Sequence, residues 1–141
     1  MATSFAKQVG SFVAASEDRM LAVFRQSAQD VVNDAQQPRA KGGNLPVATG
    51  FLRSTGDSAI NALPVGETDP KDKNGVYQWG GDAALAVINR AKLGDTIFFG
   101  WSANYAKYME ARYGFMRLAA QNWDQIVQTN AKKLERAISG N

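Results

Sequence analysis

The sequence contains no cysteine and no histidine among its 141 residues. The lack of cysteine excludes disulfides, thiolate nucleophiles and sulfur-ligated zinc, and the lack of histidine removes the usual acid–base group near neutral pH. No apolar run approaches the roughly 20 residues of a membrane-spanning helix, and the start, MATSFAKQVGSFVAAS, does not read as a secretory signal. We therefore expect a soluble protein that is made in the cytoplasm and has no membrane partner.

Motifs of catalysis are missing as well. The chain has no GxSxG, no phosphate-binding glycine loop ending in Lys-Ser or Lys-Thr, and no GxGxxG after a strand. Glu67, Asp69 and Asp72 are the best candidates for a metal or two-carboxylate site. Lysines alternate with them in GETDPKDKNG, which is typical of a solvated turn. We expect no enzymatic activity, no metal and no cofactor.

The charge is moderate and spread along the chain. The 16 basic and 13 acidic residues give a net charge of +3, which permits weak attraction to polyanions. Two small basic clusters keep open the alternative of a small DNA-binding module: Arg39, Lys41 and Arg53, and then Lys132, Lys133 and Arg136. Both also have simpler explanations, because loops need soluble residues and cations suit the end of a helix.

Residues 1–36 are predicted to form the N-terminal helix. Apolar residues recur at three- and four-residue steps or their sums: Phe5, Val9, Phe12, Met20, Phe24, Ala28, Val31 and Ala35. One continuous helix of this length would measure roughly 50 Å, although a compact chain of this size has a radius of gyration near 14 Å. Either the helix breaks near Ser16 or another subunit covers the overhang, and we favour the continuous helix.

Residues 37–50 are predicted to form a loop, because Pro38 stops the helix and QQPRAKGGNLPVATG is rich in glycine and proline. A loop this long is often functional. We treat it either as an ordinary solvated connection or as a contact arm, whose contact residues would be Arg39, Lys41, Asn44 and Leu45.

Residues 51–101 are predicted to form a small antiparallel sheet with an inserted helix over about 82–93. DTIFFGW, residues 95–101, is the clearest strand because it is β-branched and aromatic. A weaker strand signal surrounds Leu52 and residues 59–63, and residues 66–75 suggest a hairpin tip. Asp82 is the predicted helix cap, with Leu85, Ile88 and Ala91 facing inward and Gly94 at the end.

Residues 102–141 are predicted to hold a tyrosine-rich segment and an amphipathic helix that starts at Phe115 and continues through Trp123 and Ile138. The expected fold is therefore α+β and a single domain over residues 1–141. A small antiparallel sheet is flanked by a long N-terminal helix, a short middle helix and a C-terminal helix.

The segment from Trp101 to Met116 suits a protein interface. It combines Trp, Tyr, Phe, Met and Arg, the types that are enriched at the buried centres of protein contacts. Tyr105 and Tyr108, three residues apart, are equally consistent with half-buried core residues of a short helical turn.

Three pieces of sequence resemble the neck or tail-completion proteins of tailed bacteriophages. They are TGFLR (49–53), LGDTIFFGWSANYAKYMEARYGF (93–115) and MRLAAQNWDQIV (116–127). The family pattern of a Thr-Gly-x-Leu-Arg turn and a Tyr-Ala-x-x-x-Glu segment before a glycine falls on Thr49, Gly50, Leu52, Arg53, Tyr105, Ala106, Glu110 and Gly114. The sequence departs from this pattern by placing Ala111, Arg112 and Tyr113 between the glutamate and the glycine, whereas family members commonly place the glycine one or two residues after the glutamate.

The resemblance implies a structural protein of the virion neck, assembled in the host cytoplasm as a ring of six or twelve copies. Its partners would be the portal or connector proteins of the head and the tail terminator or tail-tube protein, with DNA passing through the ring without sequence-specific binding. A tail terminator that caps the tube is a related alternative. The resemblance points to Trp101, Tyr105, Tyr108, Arg112 and Tyr113 as interface residues.

Arg53 and Glu110 are the charged members of the motif. We predict that they form an ion pair that orients the turn after Gly50 against the tyrosine-rich segment. Tyr105 and Tyr108 are predicted to pack beneath the sheet and toward a neighbouring subunit.

Overall fold

The N-terminal helix is continuous. The structure, a computed structural model, describes residues 5–139, with all side chains except those of residues 10–14, so Phe12 of the predicted stripe lies outside the described side chains. Helix α1 runs from Phe5 to Ala35, about 46 Å at 1.5 Å per residue. Its C-terminal part packs into the core through Ala28, Val32 and Ala35, whereas residues 5–9 and 15–20 are exposed except for the half-buried Ser16.

A two-stranded antiparallel sheet forms the centre of the fold. Strand β1 (Gly56–Ile60) pairs with β2 (Ile97–Trp101) in a register that places Gly56 opposite Trp101. The strand prediction for residues 95–101 is confirmed. The hairpin predicted at residues 66–75 is wrong, because β1 pairs with β2 and the whole of residues 61–96, including a helix, lies between them.

Leu52 belongs to a short helix and not to a strand. Helix α2 (Phe51–Ser54) starts after Gly50, where the Thr49 hydroxyl accepts a hydrogen bond from the Phe51 N–H (3.3 Å). The hydroxyl groups of Ser54 and Thr55 donate back to the carbonyls three residues earlier. These local bonds close a helical turn that is too short to have a periodic sequence signal.

The inserted helix α3 (Gly81–Ile88) ends earlier than the predicted 82–93. Ile88 and Ala91 are fully buried and Leu85 packs on the core, as predicted. Asp82 lies in the first turn and makes no side-chain capping bond. Two bonds from the Arg25 guanidinium to the Ala91 carbonyl (2.9 and 2.6 Å) join α1 to the end of this segment.

The C-terminal part is three helices: α4 (Ala106–Tyr113), α5 (Phe115–Ala120) and α6 (Trp123–Ile138). The predicted single helix from Phe115 is therefore interrupted at Gln121 and Asn122. Helix α6 runs antiparallel to α1, and the Asn130 amide fastens it by donating to Ser27 Oγ (3.1 Å) and Asp30 Oδ2 (2.8 Å). The result is the expected α+β architecture, with its helices more divided than the sequence suggested.

Candidate assembly interface

The Thr-Gly-x-Leu-Arg motif builds a turn that only glycine fits. Gly50 has φ +89°, and a Cβ at this position would lie 2.3 Å from the Tyr77 carbonyl oxygen. The neighbouring Thr49 carbonyl accepts a hydrogen bond from the Tyr77 N–H (2.9 Å). Phe51 and Leu52 then enter a buried cluster with Leu45, Ala103 and Phe115. The first motif residues thus shape the core of the chain.

Gln36, which the sequence analysis did not single out, joins the motif to the sheet. It is fully buried, and its amide donates to the Arg53 carbonyl (2.9 Å) while its Oε1 accepts from the Trp101 indole N–H (2.8 Å). Arg53 Nε donates to the Gln36 carbonyl (2.8 Å), and the Arg53 guanidinium lies 5.2 Å from the centre of the Trp79 ring. A sequence signal was available, because Gln36 lies directly after α1 and follows the buried Val32 by four residues, about one helical turn.

The predicted Arg53–Glu110 ion pair is wrong. No ion pair within 4.0 Å joins Arg53 to Glu110, whereas Lys71 and Glu67 form one at 3.7 Å. Arg53 is held by the carbonyl and the ring just described. The Glu110 carboxylate accepts from the backbone N–H groups of Met116 (2.7 Å) and Arg117 (2.9 Å). It therefore caps the first turn of α5, beyond the left-handed Gly114 (φ +65°).

The tyrosine-rich segment is divided between the core and the surface. Tyr105, Met109 and Tyr113 pack on the buried cluster around Phe51, and the ring centres of Phe51 and Tyr105 are 6.4 Å apart. Burial raises the pKa of Tyr105 above its usual value, partly offset by a hydrogen bond with the Leu52 backbone. The prediction that Tyr108 packs beneath the sheet is wrong, because its side chain is 76% exposed.

Two arginine side chains lie against the ring of one tyrosine at the surface. The guanidinium carbons of Arg39 and Arg112 lie 4.6 and 5.5 Å from the centre of the Tyr113 ring. Both arginines are exposed, and neither has a carboxylate within ion-pair distance in the described part of the chain. Two guanidinium groups close together and without a nearby carboxylate are a candidate site for an anionic partner.

The loop expected to act as a contact arm is only partly available. Residues 39–41 form a 3-10 helix, and Pro38 and Leu45 form a parallel bridge. Leu45 is fully buried, so its prediction as a contact residue is wrong, since its side chain fills the cluster around Phe51. Arg39, Lys41 and Asn44 remain exposed.

A large apolar groove, which the sequence analysis missed, lies between α1 and α6. It encloses about 770 Å³, and its lining is mainly apolar: Arg19, Met20, Val23, Phe24, Trp123, Val127, Ala131, Leu134, Glu135, Ile138 and Ser139. We call it the α1–α6 groove. Asn130 is the only buried residue of α6. Because α6 rests on α1 along one side only, the apolar side chains of both helices reach solvent here.

A second apolar surface lies in the irregular connection after β1. Leu63, Val65 and Val76 are 74%, 91% and 81% exposed, although each is a large hydrophobic side chain. Single exposed residues of this type are common, and a contiguous patch of them would mark an interaction site. We call residues 63–76 the apolar strap.

Across residues 5–139 no group of three or more Asp and Glu side chains is placed to hold a metal ion. The pKa of the Asp95 carboxyl is lowered, chiefly by a hydrogen bond from the Lys92 N–H and also by one from the Asn61 amide. No helix in this part of the chain is long and apolar enough to cross a membrane.

Comparison with known protein families, curated proteins and solved structures finds no match to this chain. The functional proposal therefore rests on the geometry of the chain and on the motif resemblance.

Proposed function

We propose that this chain is a structural subunit of a bacteriophage neck, where identical copies form a ring that joins the capsid connector to the tail. The observation that carries the proposal is the amount of surface that one copy leaves exposed. The chain has 9445 Å² of accessible surface. A compact monomer of 15.3 kDa is expected to expose about 7,100 Å².

The excess is sufficient for a ring. A stable protein contact removes about 800 Å² from each partner, and a subunit in a ring touches two neighbours, which requires about 1,600 Å². The excess over a compact monomer is about 2,300 Å². Its most apolar part lies along the α1–α6 groove and the N-terminal half of α1, where Phe5 and Met20 are well exposed.

The motif residues support the proposal in an indirect way. Gly50, Arg53 and Glu110 make bonds inside the subunit, so the resemblance to neck proteins concerns the framework of the fold. The surfaces that differ between assemblies would then lie on the exposed helices and on Tyr108.

Disruption of the gene in the phage that carries it tests the proposal and separates the two related roles. Loss of a head–tail joining protein should yield DNA-filled heads and unattached tails of normal length. Loss of a tail terminator should yield tails of irregular, excessive length. Infectious particles of normal yield and shape would refute both.

The alternative of a small DNA-binding module is favoured by one observation, the exposed Arg39 and Arg112 over Tyr113. A binding module of this kind predicts affinity for duplex DNA that falls steeply as salt rises, with a smaller salt slope in the Arg39→Ala/Arg112→Ala variant. A neck ring predicts association between copies that persists at high salt, because apolar burial is not screened.

A further inference from the structure

We propose that the α1–α6 groove of one copy is filled by the apolar strap, residues 63–76, of the next copy. This inference rests on the proposed ring and specifies which two surfaces meet in it. The occupant is a second copy of this chain because the exposed surface exceeds that of a compact monomer by about 2,300 Å². That is more than the about 800 Å² that one side of a standard interface buries.

The strap is held in place by its own chain while its apolar side chains point away from it. Ser102 Oγ donates to the Glu67 carbonyl (2.6 Å), and the Asn104 N–H donates to the Thr68 carbonyl (2.9 Å). The Tyr77 hydroxyl is bonded to the backbone of Asp72. Because the backbone is already fixed, docking of the strap would cost little ordering entropy.

The strap and the groove lie on opposite sides of the sheet. Phe99 of β2 packs with Val32 and Ile88 on the α1 side. Gly100 points to the other side, as successive residues of a strand do, and a Cβ at Gly100 would lie 3.8 Å from Pro64. Two different apolar surfaces on opposite sides can join copies head to tail, which is the arrangement that closes into a ring.

Thiol cross-linking tests the contact, because the chain has no cysteine of its own. We would mix a Val65→Cys chain with an Ala131→Cys chain, or with a Met20→Cys chain, and add a short bismaleimide. Ala131 and Met20 line the groove, and Val65 is the most exposed large hydrophobic side chain of the strap. Lys41→Cys, at an exposed position on neither surface, is the matched control.

The inference predicts covalent dimers from the strap–groove mixtures and few from mixtures that contain Lys41→Cys. Dimers mainly from Ala131→Cys alone would overturn it in favour of a groove-on-groove contact. Native mass spectrometry of the unmodified chain distinguishes failure of this inference from failure of the proposed ring. Oligomers without strap–groove cross-links would overturn the inference and leave the ring, whereas a monomer at every concentration, both in isolation and in the particle, would overturn both.

A substitution gives a second readout that does not depend on cross-linker reach. Val65→Asp should raise the protein concentration at which half of the chains are assembled by about tenfold or more, because it places a charge where the proposed contact would bury a valine. Val47→Asp, at an exposed valine outside both surfaces, should change it little. Equal effects of the two variants would contradict the assigned contact.

Discussion

Replacing Gln36 with leucine should destabilise the subunit far more than the same change at its neighbour, Gln37. Leucine has a similar size but cannot replace the two side-chain hydrogen bonds, to the Arg53 carbonyl (2.9 Å) and from the Trp101 indole (2.8 Å). Each buried partner left without a hydrogen bond costs about 1–3 kcal/mol. The free energy of unfolding should therefore fall by about 2–6 kcal/mol, which corresponds to roughly 7–20 °C in Tm for a chain of this length.

The assay is thermal and urea unfolding followed by far-ultraviolet circular dichroism, with all variants at one protein concentration because association shifts apparent stability. Gln37 is exposed and bonds the Lys41 carbonyl (3.0 Å), so Gln37→Leu should cost less than about 1 kcal/mol. Trp101→Phe removes the indole donor. In the double variant with Gln36→Leu, the loss should be smaller than the sum of the single losses by about 1 kcal/mol. Similar losses for Gln36→Leu and Gln37→Leu, or strict additivity with Trp101→Phe, would refute the role assigned to Gln36.

Three further predictions concern the motif and the tyrosine segment. Gly50→Ala should lower the free energy of unfolding by more than about 2 kcal/mol, because Gly50 has a positive φ and the Tyr77 carbonyl oxygen would lie 2.3 Å from the new Cβ. Gly80→Ala is the control: Gly80 has open space around it, so the loss in the same unfolding assay should be under about 0.5 kcal/mol. Glu110→Ala should cost about 1–2 kcal/mol by uncapping α5, and an unchanged Tm would contradict this. Above pH 10.0, the ordinary pKa of tyrosine, Tyr105 loses its proton in the unfolded chain and keeps it in the folded chain. The free energy of unfolding of the wild type should therefore fall with rising pH, and it should fall less steeply in Tyr105→Phe. Parallel curves of stability against pH for the two proteins would contradict the burial effect.

The regular elements with strong patterns could be predicted from the sequence. The long stripe from Phe5 to Ala35 spans many helical turns, and IFFGW is β-branched and aromatic between Gly94 and Ser102, so α1 and β2 emerge from periodicity and composition alone. Helix α2 was missed because a four-residue turn fixed by side-chain to backbone bonds leaves no periodic signal.

The polar contacts of the motif could not be predicted. The opposite charges of Arg53 and Glu110 suggested a pair, but charge sign carries no information on distance, and both groups found backbone partners instead. The α1–α6 groove was missed for a related reason. An apolar stripe predicts that a helix face is buried, but it does not show whether other parts of the same chain cover that face completely.

Cryo-electron microscopy of the particle that contains this chain is the most direct test of its proposed role. The account predicts a closed ring of copies at the junction of head and tail, in which residues 63–76 of each copy cover the α1–α6 groove of the next. A solitary copy whose α1–α6 groove faces solvent in the assembled particle would contradict it.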